Sequence, residues 1–363
     1  MLRKIGYLLL VVGLVAVGAL PVAAQNEIPI QAEITSAGSA PLVKAVWTGR
    51  DDNEDYLVED DDLARLGSQV IPNADPNVTR VYVWAVVADP NGVDDVADVF
   101  FDIYEPPTHC ANPSQFKVQV HMTDLGNGHA DAVQEAADLG LIWYNFYPQD
   151  WPDPDKAGNE VTLADLLWEL DPTKNQAHLW YGYFEYVPCT QHPGYYQADV
   201  YGVDAGGAID YYSGEVEIAS IVALEIDFAT VNWGEVKPGL RRWIAGDENM
   251  ATPYQPTLLN RGNEPGRIRV ETTPLASQGL PVTKYITKFD AALLNDSLQW
   301  TSTTPNVFNG KWFLADVGEG LPHCDPTQIE FSVLADLGLP AAVYTGTMRI
   351  SIDHANGFPM YCP

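Results

Sequence analysis

Basic side chains are scarce in this chain: 19 Lys and Arg stand against 49 Asp and Glu, a formal net charge of −30. A field of that sign repels phosphate backbones and anionic lipid surfaces, which argues against nucleic acid as a partner. Cysteine is equally sparse. Cys110, Cys189, Cys324 and Cys362 are the whole complement, none at C-x-x-C spacing, so the common zinc arrangements have no ligand set. The seven histidines make no H-E-x-x-H, and neither a G-x-S-x-G elbow nor a phosphate-cradling glycine loop occurs. Carboxylates are so abundant that a glycosidase-type pair drawn among them carries no information. These absences read as a protein that is not an enzyme and needs no cofactor, a divalent cation such as Ca2+ excepted.

The one long apolar run opens the chain. Arg3 and Lys4 precede a stretch from Leu8 to Leu20, and Val22-Ala23-Ala24 supplies the small residues of a cleavage site. Residues 1–24 therefore read as a signal peptide, with the mature protein starting at Gln25 in an extracellular setting. The alternative, an uncleaved anchor, is opposed by Pro21 and by the shortness of the run. Losing Arg3 and Lys4 with the leader takes the mature net charge to −32. Hydrophobic residues at 46% and aromatics at 11% suffice to build cores, which argues against a disordered acidic polymer. At about 150 residues per domain the remainder suggests two domains, 25–219 and 220–363. The first holds 34 acids and 7 bases, the second 15 and 10, so the acidity belongs to the first.

In an exported chain an even cysteine count favours disulfides, and the grouping favours Cys110 with Cys189 and Cys324 with Cys362 among three connectivities. The densest acidity is Asp51-Asp52-Asn53-Glu54-Asp55 followed by Glu59-Asp60-Asp61-Asp62. It reads either as a solvated loop tip or as a site for divalent cations, with Asp51, Asp52, Asp60, Asp61 and Asp62 as ligands, or for a basic surface. Further candidate cation loops are Asp89, Asn91, Asp94 and Asp95, and Asp150, Asp153, Asp155 and Glu160; none matches an EF-hand, and turn formation explains them equally. Asn77-Val78-Thr79 and Asn295-Asp296-Ser297 are glycosylation sequons.

Periodicity reads as strands. Leu42 to Trp47 and Arg80 to Ala88 are rich in β-branched and aromatic residues; Asp89-Pro90-Asn91-Gly92 is a tight turn, and Val96 to Tyr104 is expected to return as a hairpin partner. Phe116 to Val120 alternates. Between about residues 129 and 171 the spacing turns helical, with Leu163, Leu166, Leu167 and Leu170 on one face and Thr162 with Asp165 as a capping box. Strand character resumes at Ala177 to Val187 and Tyr195 to Val203. Aromatics from Trp180 to Tyr186 occupy both faces, as in a strand buried on both sides or, alternatively, an exposed platform for sugar rings. Short alternating strands from Val222 to Ile352, punctuated by Gly, Asn and Pro, describe a second sandwich, with a β-barrel as the alternative. The expected fold is mainly β: two tandem immunoglobulin-like antiparallel β-sandwiches, the first with a two-helix insertion.

Val43-Lys44-Ala45-Val46-Trp47, the Trp84-to-Gly92 segment, Pro193-Gly194-Tyr195-Tyr196 leading to Val203-Asp204, and Val222 to Val236 with Gly246-Asp247 and Asn260-Arg261-Gly262-Asn263 together resemble secreted surface proteins of methanogen-type archaea. The resemblance covers most of residues 40–352. It implies tandem immunoglobulin-like domains and an envelope or S-layer-like role without catalytic residues. The expected function is thus a cell-surface structural or interaction protein whose partners are itself, other surface proteins or glycans. The alternative is a carbohydrate-binding module or hydrolase accessory, suggested by 10 Trp and 18 Tyr.

Overall fold

The computed structural model describes residues 39–58, 65–66, 69–106, 116–294, 306–307, 313–316 and 320–354. Residues 1–24, read above as a signal peptide, and Asp60, Asp61, Asp62, Cys110, Asn295 and Cys362 lie outside them. In the first half the strands are β1 (Leu42–Gly49), β2 (Arg65–Leu66), β3 (Gln69–Val70), β4 (Thr79–Ala88), β5 (Val96–Tyr104), β6 (Phe116–His121), β7 (Thr123–Gly126), β8 (Trp143–Tyr144), β9 (Ala177–Tyr186), β10 (Gly194–Asp204) and β11 (Ile209–Ile218). Helices α1 (Ala130–Asp138) and α2 (Leu163–Glu169) form the expected insertion. In the second half follow β12 (Leu224–Ile226), β13 (Arg241–Ile244), β14 (Thr257–Asn260), β15 (Gly266–Thr272), β16 (Lys288–Leu294), β17 (Asn306–Val307), β18 (Phe313–Asp316), β19 (Thr327–Leu334) and β20 (Met348–His354).

Two sheets face each other in the first half, ordered β7-β9-β4-β1-β8 and β2-β3-β11-β10-β5-β6. Pairing is antiparallel except for β3 on β11. Val81, Val83, Ala85 and Val87 of β4 meet Phe101, Ile103, Tyr196, Val200 and Val216 of the opposite sheet in one core. The sheets approach closely at Gly214, where a Cβ would stand 2.8 Å from the Val46 side chain. The other face of β4, with Tyr82, Trp84 and Val86, packs beneath the helices against Val133, Ala136, Leu166 and Leu170. The first sheet is therefore buried on both faces, which explains why β4 and β9 are apolar on both sides. In the same way the Trp180-to-Tyr186 run is mostly interior: Trp180, Phe184 and Tyr186 enter the sandwich core, while Tyr183 is partly exposed. Helix α2 starts at the expected box, with the Thr162 side chain accepting from the Asp165 amide and the Asp165 carboxylate accepting from the Thr162 amide.

The expected hairpin of β4 with β5 does not form. β4 pairs with β1 and β9, whereas β5 pairs with β10 and β6, so residues 89–95 turn the chain from one sheet to the other. Gly92, at φ 116°, and a single turn of 3-10 helix over Val93–Asp95 make that corner. The reason lies in patterning. β5 alternates and keeps a polar face, which would be buried beneath the helices if it extended the first sheet.

The second half repeats the principle with a sheet ordered β12-β14-β19-β16-β17, with β13 also on β19, against a sheet β18-β15-β20. Leu258, Ile329, Phe331, Ala291 and Leu293 of one meet Ile268 and Val270 of the other. Mainly antiparallel sandwich architecture is as expected from the sequence.

Among the described residues a disulfide joins Cys189 to Cys324, across 135 residues. It overturns the expected pairing of Cys110 with Cys189 and Cys324 with Cys362. Nearness in sequence did not govern, because the loop after β9 and the loop before β19 are apposed where the halves meet. There the buried Asn263 amide donates to the Tyr186 hydroxyl at 2.7 Å and to the Ala219 carbonyl at 3.0 Å, while its oxygen accepts from the Ile221 amide. Arg261 pairs with Asp75 at 2.6 Å and also with Glu225.

Candidate functional site

The first feature is the outer face of the second sheet. Because Phe101, Ile103, Tyr196, Ala198 and Val200 point into the core, alternation sends their neighbours outward. Register then sets four rings in a row across four strands: His121 beside Phe100, Phe100 beside Tyr201, Tyr201 beside Tyr211. Phe100 and Tyr201 stack at 5.0 Å between centroids, and Tyr201 and Tyr211 at 5.5 Å. Rings this close and nearly parallel cover one another's faces, so the inner members present edges. Tyr211, at the end of the row, is 58% exposed, and Tyr195 on the same face is 60% exposed.

Carboxylates border the row. Asp102 accepts from Gln119 at 2.9 Å, and Asp199 accepts from Gln197 at 2.7 Å and from the Ser213 hydroxyl at 2.5 Å. Asp98 pairs with His121 at 2.9 Å. Tyr195 lies opposite Glu217, and a hydrogen bond to that carboxylate raises its hydroxyl pKa. The face thus offers fixed hydrogen-bond acceptors around aromatic surface.

A second feature sits at the end of this sandwich, where the β4–β5 corner meets the β10–β11 turn. One carboxylate oxygen each from Asp89, Asp95 and Asp204 lie within 4.8 Å of one another, the one such group of acid, His or Cys side chains among the described residues. Asp89 Oδ1 accepts from the Asn91 amide at 2.7 Å, and Asp204 Oδ1 from the Ala208 amide at 2.7 Å. The second oxygen of each is buried and has no hydrogen-bond partner among the described protein groups. The two turns are tied by the Ala205 amide donating to the Asp95 carbonyl at 2.8 Å. Burial pushes the Asp89 carboxyl above its ordinary value, and the charges of Asp95 and Asp204 push it further.

Other sequence candidates fall differently. Of the candidate cation loop at 89–95, Asp89 and Asp95 are brought together; Asp94 is exposed outside the group, and the Asn91 amide side chain reaches the Ser39 carbonyl at 3.4 Å. Asp204 was not among the expected ligands; it is 109 residues from Asp95, so no local spacing could have marked it. Asp51 is buried and organises its own loop, accepting from the amides of Asp55 at 3.1 Å and Tyr56 at 3.0 Å. Asp52 pairs with Arg50, the base just before the run. In the second loop, Asp153 accepts from the Asp155 amide at 3.1 Å, a turn contact. Asn77 is exposed, while Thr79 of its sequon is buried.

No family model matches the chain, and no curated protein does. Among solved structures it is similar to the C-terminal domain of the Streptococcus agalactiae AgI/II polypeptide BspA, at 14% identity and a TM-score of 0.21, covering 86% of this chain and 96% of that one. It is also similar to the CsuC-CsuE chaperone-tip adhesion subunit complex of Acinetobacter baumannii, at 10% identity and a TM-score of 0.26, over 78% and 96% of the two chains. A third similarity is to carbohydrate-binding modules of the β-sandwich superfamily, at 11% identity and a TM-score of 0.19, over 88% and 98%. Similarity at this level assigns neither activity nor partner.

Proposed function

We propose that this chain is a secreted, non-enzymatic cell-surface protein, S-layer-like in role, of the kind its sequence resembles in methanogen-type archaea, and that it works through the outer face of its second sheet. The observation that carries this reading is the ring row His121, Phe100, Tyr201, Tyr211 bordered by Asp98, Asp102, Asp199 and Glu217. Aromatic side chains provide large contact area at low entropic cost, and fixed carboxylates give it orientation. The inter-half disulfide supports an oxidising, extracytoplasmic home. The partner in this reading is another copy of the chain or a neighbouring surface protein, in a layer or filament.

A second reading, glycan binding, is favoured by one detail: Tyr211 ends the row, and its exposed surface could lie against the apolar face of a sugar while nearby carboxylates accept from hydroxyls. Sedimentation and a glycan array separate the two, using the wild type and a Tyr195→Ser/Tyr211→Ser variant, whose exposed substitutions spare the core. Self-association lost in the variant supports assembly; sugar binding lost in the variant supports the module. If both proteins behave alike in both assays, this face is not the working surface.

A further inference from the structure

We infer that Asp89, Asp95 and Asp204 form a calcium site that clamps the β4–β5 corner to the β10–β11 turn. Two observations carry it independently. The first is convergence: three carboxylates from two separate turns bring an oxygen each within 4.8 Å of the others. The second is what those oxygens lack. Asp89 is 6% exposed and Asp204 2% exposed, and each directs one oxygen to a backbone amide while the other, though buried, meets no donor among the described residues. A buried ionised carboxylate without a partner is costly, and three together repel one another, so a protein that kept this arrangement for turn geometry alone could use Asn or Ser at lower cost.

The chemistry selects the ion. An all-oxygen, all-carboxylate set suits a hard cation and disfavours zinc or copper, whose sites draw on nitrogen and sulfur. Calcium, at about 2.3–2.6 Å, accepts flexible coordination by carboxylates from separate segments, whereas magnesium at about 2.0–2.1 Å demands a near-ideal octahedron and keeps most of its waters, so carboxylates fixed by two separate turns suit calcium better. Three carboxylates against a double charge leave room for water ligands and place the expected affinity in the weak range of extracellular modules, Kd on the order of 10⁻⁴–10⁻³ M. This site is separate from the aromatic face, and its failure would leave the reading of that face untouched.

The test is calorimetric melting of the full mature protein with about 5 mM calcium and with chelator, for the wild type, Asp204→Asn and Asp52→Asn. Asn at 204 keeps an oxygen for the Ala208 amide and removes the charge. The wild type is expected to melt a few degrees, about 2–5 °C, higher with calcium, and Asp52→Asn to respond equally. Asp204→Asn is expected to lose the response and, in chelator, to melt at or above the wild type because repulsion is relieved. Titration calorimetry with calcium should give one site in the wild type and none in Asp204→Asn. No calcium shift in the wild type, or an equal shift in Asp204→Asn, would overturn the assignment. So would an Asp204→Asn protein markedly less stable than wild type in chelator, since that would make the Asp204 charge a structural partner.

Discussion

Lys44 is fully buried in a strand that packs under two helices, and its ammonium is held by the Glu169 carboxylate of α2 and by the Tyr147 hydroxyl at 3.2 Å, with the Tyr147 ring 4.6 Å away. Burial lowers its pKa and Glu169 opposes that shift. Lys156 reaches the same carboxylate at 3.6 Å and Asp165 at 3.0 Å. Lys44→Ala leaves the buried Glu169 carboxylate only the longer contact to Lys156, so it is expected to cost about 3 kcal/mol, the lower end for a broken buried pair. Replacing Lys44 and Glu169 together by Met and Leu should cost clearly less, because no lone charge is left. Equal losses in urea unfolding would show that packing rather than charge holds this joint. At the inter-half contact, His323 lies 6.0 Å from His192, and burial followed by the neighbouring imidazole lowers its pKa below 6.5. A depressed value means the native state prefers the neutral ring. Its stabilising contribution is complete above 6.5 and lost as pH falls through the folded value. The wild type should therefore lose stability between neutral and mildly acidic pH relative to His323→Gln, and parallel pH profiles for the two would remove His323 as the cause.

At the scale of elements, strands and helices with one clear period could be read from the sequence, and elements set by distant partners could not. The Thr162–Asp165 box located α2 because capping is a contact between near neighbours. β5 was recognisable as a strand, but its sheet depends on which faces its neighbours bury. β1 shows the same limit. A bulge between Val43 and Ala45 resets the alternation, so that Leu42, Ala45 and Trp47 face the helical layer while Val43 and Val46 face the sandwich. The acid site was half legible: Asp89 and Asp95 share one turn, but Asp204 joins them only when β10 brings its own turn alongside. Cysteine pairing failed for the same reason, since Cys189 and Cys324 are neighbours through tertiary apposition. A non-reducing peptide map is expected to contain the 189–324 link. Cys324→Ser should lower stability by about 4–5 kcal/mol on the loop-entropy model for a closure of this size. A map carrying 110–189 instead would contradict the observed joint.

At the scale of the whole molecule, the two sandwiches differ in burden. The first carries most of the acidity, the helical layer, the aromatic face and the acid cluster; the second contributes the Asn260-to-Asn263 loop that seats against Tyr186 and Asp75. A covalent link and a buried amide network tie the two sandwiches together at that seat. The most direct measurement is the fraction of the chain retained on intact native envelopes, by immunolabelling, for the wild type against Tyr195→Ser/Tyr211→Ser. The wild type should be found on the outer surface in regular array or attached to it, with the variant released to the medium. A wild-type protein found inside the cell, or a variant retained as fully as the wild type, would contradict a cell-surface role exercised through this face.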